Sequence, residues 1–275
     1  MKPAPFEYVV PTTLAEALDA LATPGARVIA GGQSLLQDLG WRRTEASLLV
    51  DVADLDELAG VHDDVGSVRI GARVRHVDLE RGAVAGPLGA LLVATAGWIA
   101  HPPVRSRGTL VGSLCFAHPA SEWCALAAGL GGSVELASTR GRRTVAVGDF
   151  LYGPHETAAA PDELATAVVL PRLPGGTRVG VVESRRTHAG YAHVAATAAV
   201  LPDGSARLGL AGAAPTGIRA HAAEAALARG EDPGAAAATV DADPREHPHA
   251  PIAYTRHVAG VLVRRVLART EEAAA

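Results

Sequence analysis

An apolar run that breaks straight into paired glycines constrains this chain most: Arg27-Val28-Ile29-Ala30 leads into Gly31-Gly32-Gln33-Ser34 and then Leu35-Leu36. A buried strand has to end there, because two residues without Cβ atoms admit φ > 0 and the close approach of another group. Backbone N–H groups at such a turn can face an anion such as a diphosphate, with the Gln33 amide and the Ser34 hydroxyl as further donors. A plain tight turn fits the same spacing, and spacing alone leaves both open.

A second segment repeats the logic. Thr109-Leu110-Val111-Gly112-Ser113 sets small and hydroxyl residues around a glycine-containing turn and leads through Ala117-His118-Pro119-Ala120-Ser121 to Glu122, at the start of an expected helix. Glu122 can accept from a ribose hydroxyl or simply answer the helix dipole. The Thr109 and Ser113 hydroxyls can equally bond their own backbone.

Between and around these segments the pattern alternates strands with helices. Residues 6–10 and 47–52 read as strands, and Thr12-Thr13 can cap a helix over Leu14–Leu21, with Glu16 near its positive end. The polar stretch 60–66, bracketed by glycines, reads as a turn and marks a subdomain boundary. A strand over 67–72 and a helix starting over 76–81 follow it, then a buried helix within 87–100 that stops before His101-Pro102-Pro103. A helix over 121–128 ends on the glycines of 129–132, read as a C-cap, and 133–137 and 143–147 pair as strands around Gly141. Beyond 171–176 the pattern changes to three successive β-like runs, 178–185, 190–200 and 206–211, turned by Pro202-Asp203-Gly204, then helices over His221–Ala228 and 252–269 with breaks at 231–233 and 241–251. Strands first and helices last describe a separate α+β domain. The expected division is 1–173, split into about 1–59 and 60–173, and then 177–275.

Composition narrows the function. Aromatic residues make up 4% of a chain that is 48% hydrophobic, so the core is built of Ala, Val and Leu, which suits close helix-on-sheet packing. With Lys+Arg 25 against Asp+Glu 29 there is no basic field for nucleic acid. Cys115 and Cys124 do not form a metal-ligand set and read as small buried hydrophobes on a strand-to-helix passage. The start, MKPAPFEYVVPTT, carries no apolar targeting segment, and no run reaches the roughly 20 apolar residues of a membrane span, so a cytoplasmic protein is expected. Phosphate-loop and Rossmann fingerprints are missing, as are nucleophile-elbow and zinc-helix motifs. His188 and His193, five apart on β-like segments, are expected on opposite faces and not as a metal pair.

Taken in order, AGGQSLL at 30–36, LLVDV at 48–52, IGA at 70–72, HPPVRSRGTLVGS at 101–113, HPASEW at 118–123, GDF at 148–150, DEL at 162–164, ESRR at 183–186 and AGAAPTGIRA at 211–220 span nearly the whole chain. Together they resemble the FAD-binding medium subunit of the molybdenum hydroxylase superfamily, the group of xanthine dehydrogenase and carbon monoxide dehydrogenase. The resemblance implies an α+β architecture: a vanillyl-alcohol-oxidase-type (PCMH-type) flavin fold of two α/β subdomains plus a small C-terminal α+β domain with an antiparallel sheet and helices. It implies FAD held at its diphosphate by Ala30, Gly31, Gly32, Gln33, Ser34 and Leu35, with Thr109, Leu110, Val111, Gly112 and Ser113 as the second loop. Glu122 would face the cofactor and Ile99 would pack against it. A molybdopterin-binding large subunit and a [2Fe–2S] small subunit would be partners in a hetero-oligomer, with electrons arriving from the iron–sulfur clusters. Two positions depart from the family pattern: Val111 stands where the first of two glycines is usual, and its Cβ is expected to disfavour φ > 0 and crowd a phosphate; His118 stands where an acidic residue is usual. A free-standing flavin oxidoreductase and a scaffold that has lost FAD through Val111 are the competing readings.

Overall fold

The computed structural model describes residues 2–187, 190–246 and 250–272. In the first region a parallel three-stranded sheet of order β1-β3-β2 is formed by β1 (Glu7–Val9), β2 (Ala26–Ile29) and β3 (Leu48–Asp51). Helix α1 (Leu14–Leu21) links β1 to β2, and the short α2 (Leu35–Gly40) lies between β2 and β3. The α1 start follows the sequence chemistry: the Thr13 hydroxyl accepts the Glu16 N–H at 3.2 Å, and the Glu16 carboxylate accepts the Thr12 N–H at 2.7 Å.

The second region is a five-stranded sheet of order β4-β5-β10-β6-β7. Its first hairpin is β4 (Val61–Asp64) and β5 (Ser67–Gly71), so the polar stretch read as a turn is in fact an edge strand. His62, Asp63 and Asp64 are exposed, and an edge strand open to solvent shows no apolar alternation for sequence reading to find. Helices α3 (His76–Glu80), α4 (Gly86–Ala96), α5 (Pro102–Arg105), α6 (Leu110–Phe116) and α7 (Glu122–Leu130) precede the hairpin β6 (Ser133–Ser138) and β7 (Gly141–Ala146). After α8 (Val147–Phe150) and the small hairpin β8 (Leu151–Gly153) and β9 (Glu156–Thr157), β10 (Leu164–Pro171) returns to the centre of the sheet between β5 and β6. This central strand, missed in the sequence, is buried over Leu164–Val168. Its Ala-rich start, Leu164-Ala165-Thr166-Ala167, carries no alternation, as a strand covered on both faces need not.

The third region is the antiparallel meander expected from the sequence: β11 (Arg178–Ser184), β12 (Val194–Val200) and β13 (Ala206–Ala211), with β14 (Ile218–Arg219) added at one edge. Helices α9 (His221–Ala228), α10 (Pro233–Ala236) and α11 (Ile252–Glu272) complete it, with a π-helical turn over Ala237–Asp241 between the two expected breaks.

Helix α7 joins the last two regions, and every residue from Glu122 to Leu130 is buried. It lies against β13 and β14 at a distance that only glycine permits. A Cβ on Gly209 would sit 2.1 Å from the Ala125 carbonyl oxygen, and one on Gly217 would sit 2.6 Å from the Ala125 nitrogen. The low aromatic content therefore has a structural counterpart in a seam packed backbone to backbone. Gly131, left-handed at φ 73°, ends α7 as the C-cap reading expects.

Candidate functional site

The two glycine-containing segments meet. The first leaves β2 at Ile29 and reaches α2 through residues 30–34; Gly32 is left-handed (φ 70°), while Gly31 is not. Gly31 is required for another reason: a Cβ there would lie 2.3 Å from the Arg107 carbonyl oxygen and 2.7 Å from the Gly108 Cα, so the second segment rests on it. Ala30, Gly31, Gly32, Gln33, Ser34 and Leu35 all remain partly exposed. The Gln33 amide donates to the Gly31 carbonyl oxygen at 3.1 Å, which braces the turn from within. The Ser34 hydroxyl makes no capping bond to α2.

The second segment is not the open turn that its residues suggested. Thr109 is the N-cap of α6, its hydroxyl accepting the Gly112 N–H at 3.1 Å, and Leu110 through Phe116 are helical. Val111 lies in the first helical turn, 2% exposed and packed in the main core, and it is absent from the positive-φ positions. The expectation that its Cβ meets a left-handed backbone or a ligand is therefore corrected: the side chain points into protein, and the helix geometry accepts it. Leu110 is buried beside it, whereas Gly112 is exposed and Ser113 partly so. Ser113 contributes its carbonyl oxygen, which accepts from Cys124 Sγ at 3.7 Å and ties α6 to α7. Cys115 and Cys124 are thus both helical, and Cys115 is exposed, unlike the buried pair expected.

What fixes the second segment is the stretch after β5. The His76 N–H donates to the Gly108 carbonyl oxygen at 2.9 Å, and Arg75 and Thr109 form an antiparallel bridge. The buried His76 ring accepts from Trp123 Nε1 at 3.0 Å through Nδ1, and burial pushes its pKa down to about 4, so it is neutral and structural. Around the junction a cleft is lined by Ala30, Gly31, Ala53, Arg73, Arg75, Arg107 and Thr109. Arg73 pairs with Asp56 at 2.8 Å, while Arg75 and Arg107 have no ion pair among the described residues. Sequence reading passed over these three arginines. Arg73 lies in a turn closed by the Val74 N–H on the Gly71 carbonyl oxygen at 3.0 Å and Arg75 at the bridge to Thr109, so the tertiary path of the chain, and no local spacing, brings them to the junction.

Glu122 was expected as an ordinary helix-start charge or a ligand contact, and it proves to be 5% exposed. Burial and the neighbouring Glu183 carboxylate push its pKa up to about 8. Glu183 comes from β11 with a side chain that is 0% exposed, and Arg185 lies 3.7 Å from it. Arg185 also donates to the Trp98 carbonyl oxygen at 3.2 Å and stacks over the Trp98 ring at 4.6 Å, next to Ile99. Ile99 is partly buried against the core, and Arg105, held by Glu80, donates to its carbonyl oxygen at 2.9 Å. His118 stacks on Tyr191 with ring centres 3.7 Å apart, and its Nδ1 accepts the Ala120 N–H at 3.1 Å. Burial first and His155 second lower its pKa to about 4, so it brings a neutral ring where an acid is usual. The comparison of His188 with His193 falls outside the described residues. Among the described residues no three His, Cys, Asp or Glu side chains group to hold a metal ion, and no helix is long and apolar enough to cross a membrane.

Comparison with known proteins shows the family. Residues 4–173 match the family described as the FAD binding domain in molybdopterin dehydrogenase. The chain is 34% identical to the 6-hydroxypseudooxynicotine dehydrogenase complex subunit alpha of Paenarthrobacter nicotinovorans, over 98% of this chain and 95% of that one. It is 31% identical to the carbon monoxide dehydrogenase medium chain of Afipia carboxidovorans, covering 98% of each. Among solved structures it superposes on a chain of the reconstituted CO dehydrogenase from Oligotropha carboxidovorans with a TM-score of 0.92, at 30% identity and 99% coverage of both chains. The chain therefore belongs to the family of FAD-binding domains of molybdopterin dehydrogenases.

Proposed function

We propose that this chain is the FAD-binding medium subunit of a molybdenum hydroxylase-type complex in the cytoplasm, and that its role is electron transfer. FAD, when bound, supplies the redox chemistry, receiving electrons that reach it through the [2Fe–2S] clusters of a small partner subunit from a molybdopterin-binding large subunit and releasing them to an external acceptor. The observation that carries the reading is the junction of the two loops: Gly31 backed directly against Arg107-Gly108, inside a chain that aligns over nearly its whole length with carbon monoxide dehydrogenase medium chains.

The residues present fit the cofactor. The partly exposed Gly31 and Gly32 and the exposed Gly112 offer a surface without side chains for a diphosphate, and Arg73, Arg75 and Arg107 line the same junction with positive charge. In this reading Ala30, Gly31, Gly32, Gln33, Ser34 and Leu35 form one wall and Thr109, Gly112 and Ser113 the other. Leu110 and Val111 serve from behind, by holding the α6 start in the core. Ile99 and Glu122 lie toward the reactive end, where the chain's task is to orient the cofactor and exclude water. The test is purification from native levels with a visible spectrum and identification of co-purifying chains. About one FAD, released by acid, together with a large molybdopterin-type and a small two-cluster chain is the expected result; a folded, colourless protein that takes up no FAD on reconstitution overturns it.

A further inference from the structure

A second cleft shares no lining residue with the loop junction and lies where the FAD-binding part of the chain meets the C-terminal part. Its volume is about 220 Å³, and it is lined by Trp98 just beyond α4, by Val182 and Glu183 of β11, and by Leu262, Arg265 and Arg269 of α11. Leu262 is 2% exposed and Trp98 and Val182 are partly exposed, whereas both arginines are open to solvent. The walls are apolar and the rim is cationic.

The rim is what the fold leaves unanswered. Arg264, next in sequence, donates to Asp232 through Nε at 2.8 Å, and Arg256 pairs with Asp243 at 3.8 Å. Arg265 and Arg269 make no ion pair or hydrogen bond among the described residues, although Glu271 and Glu272 follow on the same helix. Like charges four apart on a helix are neighbours and repel, so the chain carries their repulsion without a counter-charge. Glu183, the one carboxylate in the wall, does not serve. Both its oxygens are buried, and the cation beside it is Arg185 at 3.7 Å. Arg185 in turn donates to the Trp98 carbonyl oxygen at 3.2 Å and lies over the ring, which holds the indole in place.

Size and charge together select an occupant. The volume falls below the roughly 300–1,000 Å³ of a drug-sized ligand pocket and suits a single apolar side chain. One such side chain seated against a fixed aromatic wall, with charge pairs around it, is how a protein interface concentrates its binding energy. We propose that the cleft docks an acidic segment of a partner polypeptide, which inserts one large apolar side chain between Trp98, Val182 and Leu262 and pairs flanking carboxylates with Arg265 and Arg269. A basic segment would meet two unpaired cations, and a neutral one would leave them unpaired. That a partner exists rests on the function proposed above; the chemistry of the cleft does not.

Photo-cross-linking in the complex as purified tests the docking. Ala268 is exposed and lies on α11 between the two arginines. A benzophenone side chain in its place should capture a partner chain at a segment that carries aspartate or glutamate beside the captured residue. Capture should weaken as salt is raised. At limiting concentration its yield should fall about tenfold when Arg265→Glu and Arg269→Glu are combined, and should survive Arg265→Lys with Arg269→Lys. Capture of a basic or uncharged segment, of a second copy of this chain, or of nothing while the complex stays intact overturns the docking site. If the chain purifies without partners, the proposed function loses its complex and the cleft is tested alone. A blocked glutamate-rich peptide with a central phenylalanine should then change the tryptophan fluorescence of the full chain, but not that of Trp98→Phe, and its lysine counterpart should have no effect. An indole that does not respond, or responds to both peptides alike, overturns the proposal.

Discussion

The two loops that meet at the junction look alike in sequence and differ in what their glycines do. In the first, Gly31 is needed because backbone from the other loop occupies the place of its Cβ, and Gly32 because its φ is 70°. In the second, Gly112 is an ordinary helical residue whose absent Cβ faces only the Thr109 hydroxyl at 2.8 Å, and the position before it carries a buried valine. The first loop is a turn that glycine makes possible. The second is a helix start that a threonine cap and core packing make rigid, with glycine leaving its outer face bare.

That contrast predicts graded effects. Gly31→Val should be the most damaging change, costing about 3 kcal/mol or more, beyond ordinary overpacking because the obstacle is backbone. Thermal unfolding and flavin retention should fall together; a stable, flavin-loaded variant would break the junction. Val111→Gly should come next, at about 2–4 kcal/mol from reduced burial and a glycine within a helix, with FAD affinity no better than before. Tighter flavin binding in that variant would show that the valine obstructs the cofactor after all. Gly32→Ala should cost about 1–2 kcal/mol through its left-handed backbone. Gly112→Ala should change stability least, within about 0.5 kcal/mol, because a perturbed Thr109 cap is offset by better helix propensity, yet it should weaken FAD binding if phosphate lies on that face. Unchanged flavin titrations in Gly112→Ala would move the cofactor off α6.

The same contrast explains what could be read in the sequence. The first loop announced itself as a turn, since paired glycines after Ile29 and Ala30 end a strand, while what the turn holds was not in the spacing. The α1 cap at Thr13 and the meander of β11, β12 and β13 were equally plain, because caps and turns are local chemistry. The second loop misled because Thr109-Leu110-Val111-Gly112 serves a turn or a helix N-terminus equally well, and the core packing of Val111 that decides between them is tertiary. Strand β10 and the polar edge strand β4 escaped for opposite reasons, one covered on both faces and the other open. Arg185 lay inside a noted motif, yet its hold on Trp98 joins residues 87 positions apart, which local pattern does not encode.

The most direct test of the central claim, that the Gly31 to Arg107 junction grips a diphosphate, is an equilibrium titration of the flavin-free protein with FAD and with riboflavin, followed by quenching of flavin fluorescence. If the junction supplies the grip, FAD binds at one equivalent with at least a hundredfold preference over riboflavin, about 2.7 kcal/mol, and replacing Arg107 with alanine erases much of that preference. Equal affinity for the two flavins, or a preference indifferent to Arg107, would contradict the account.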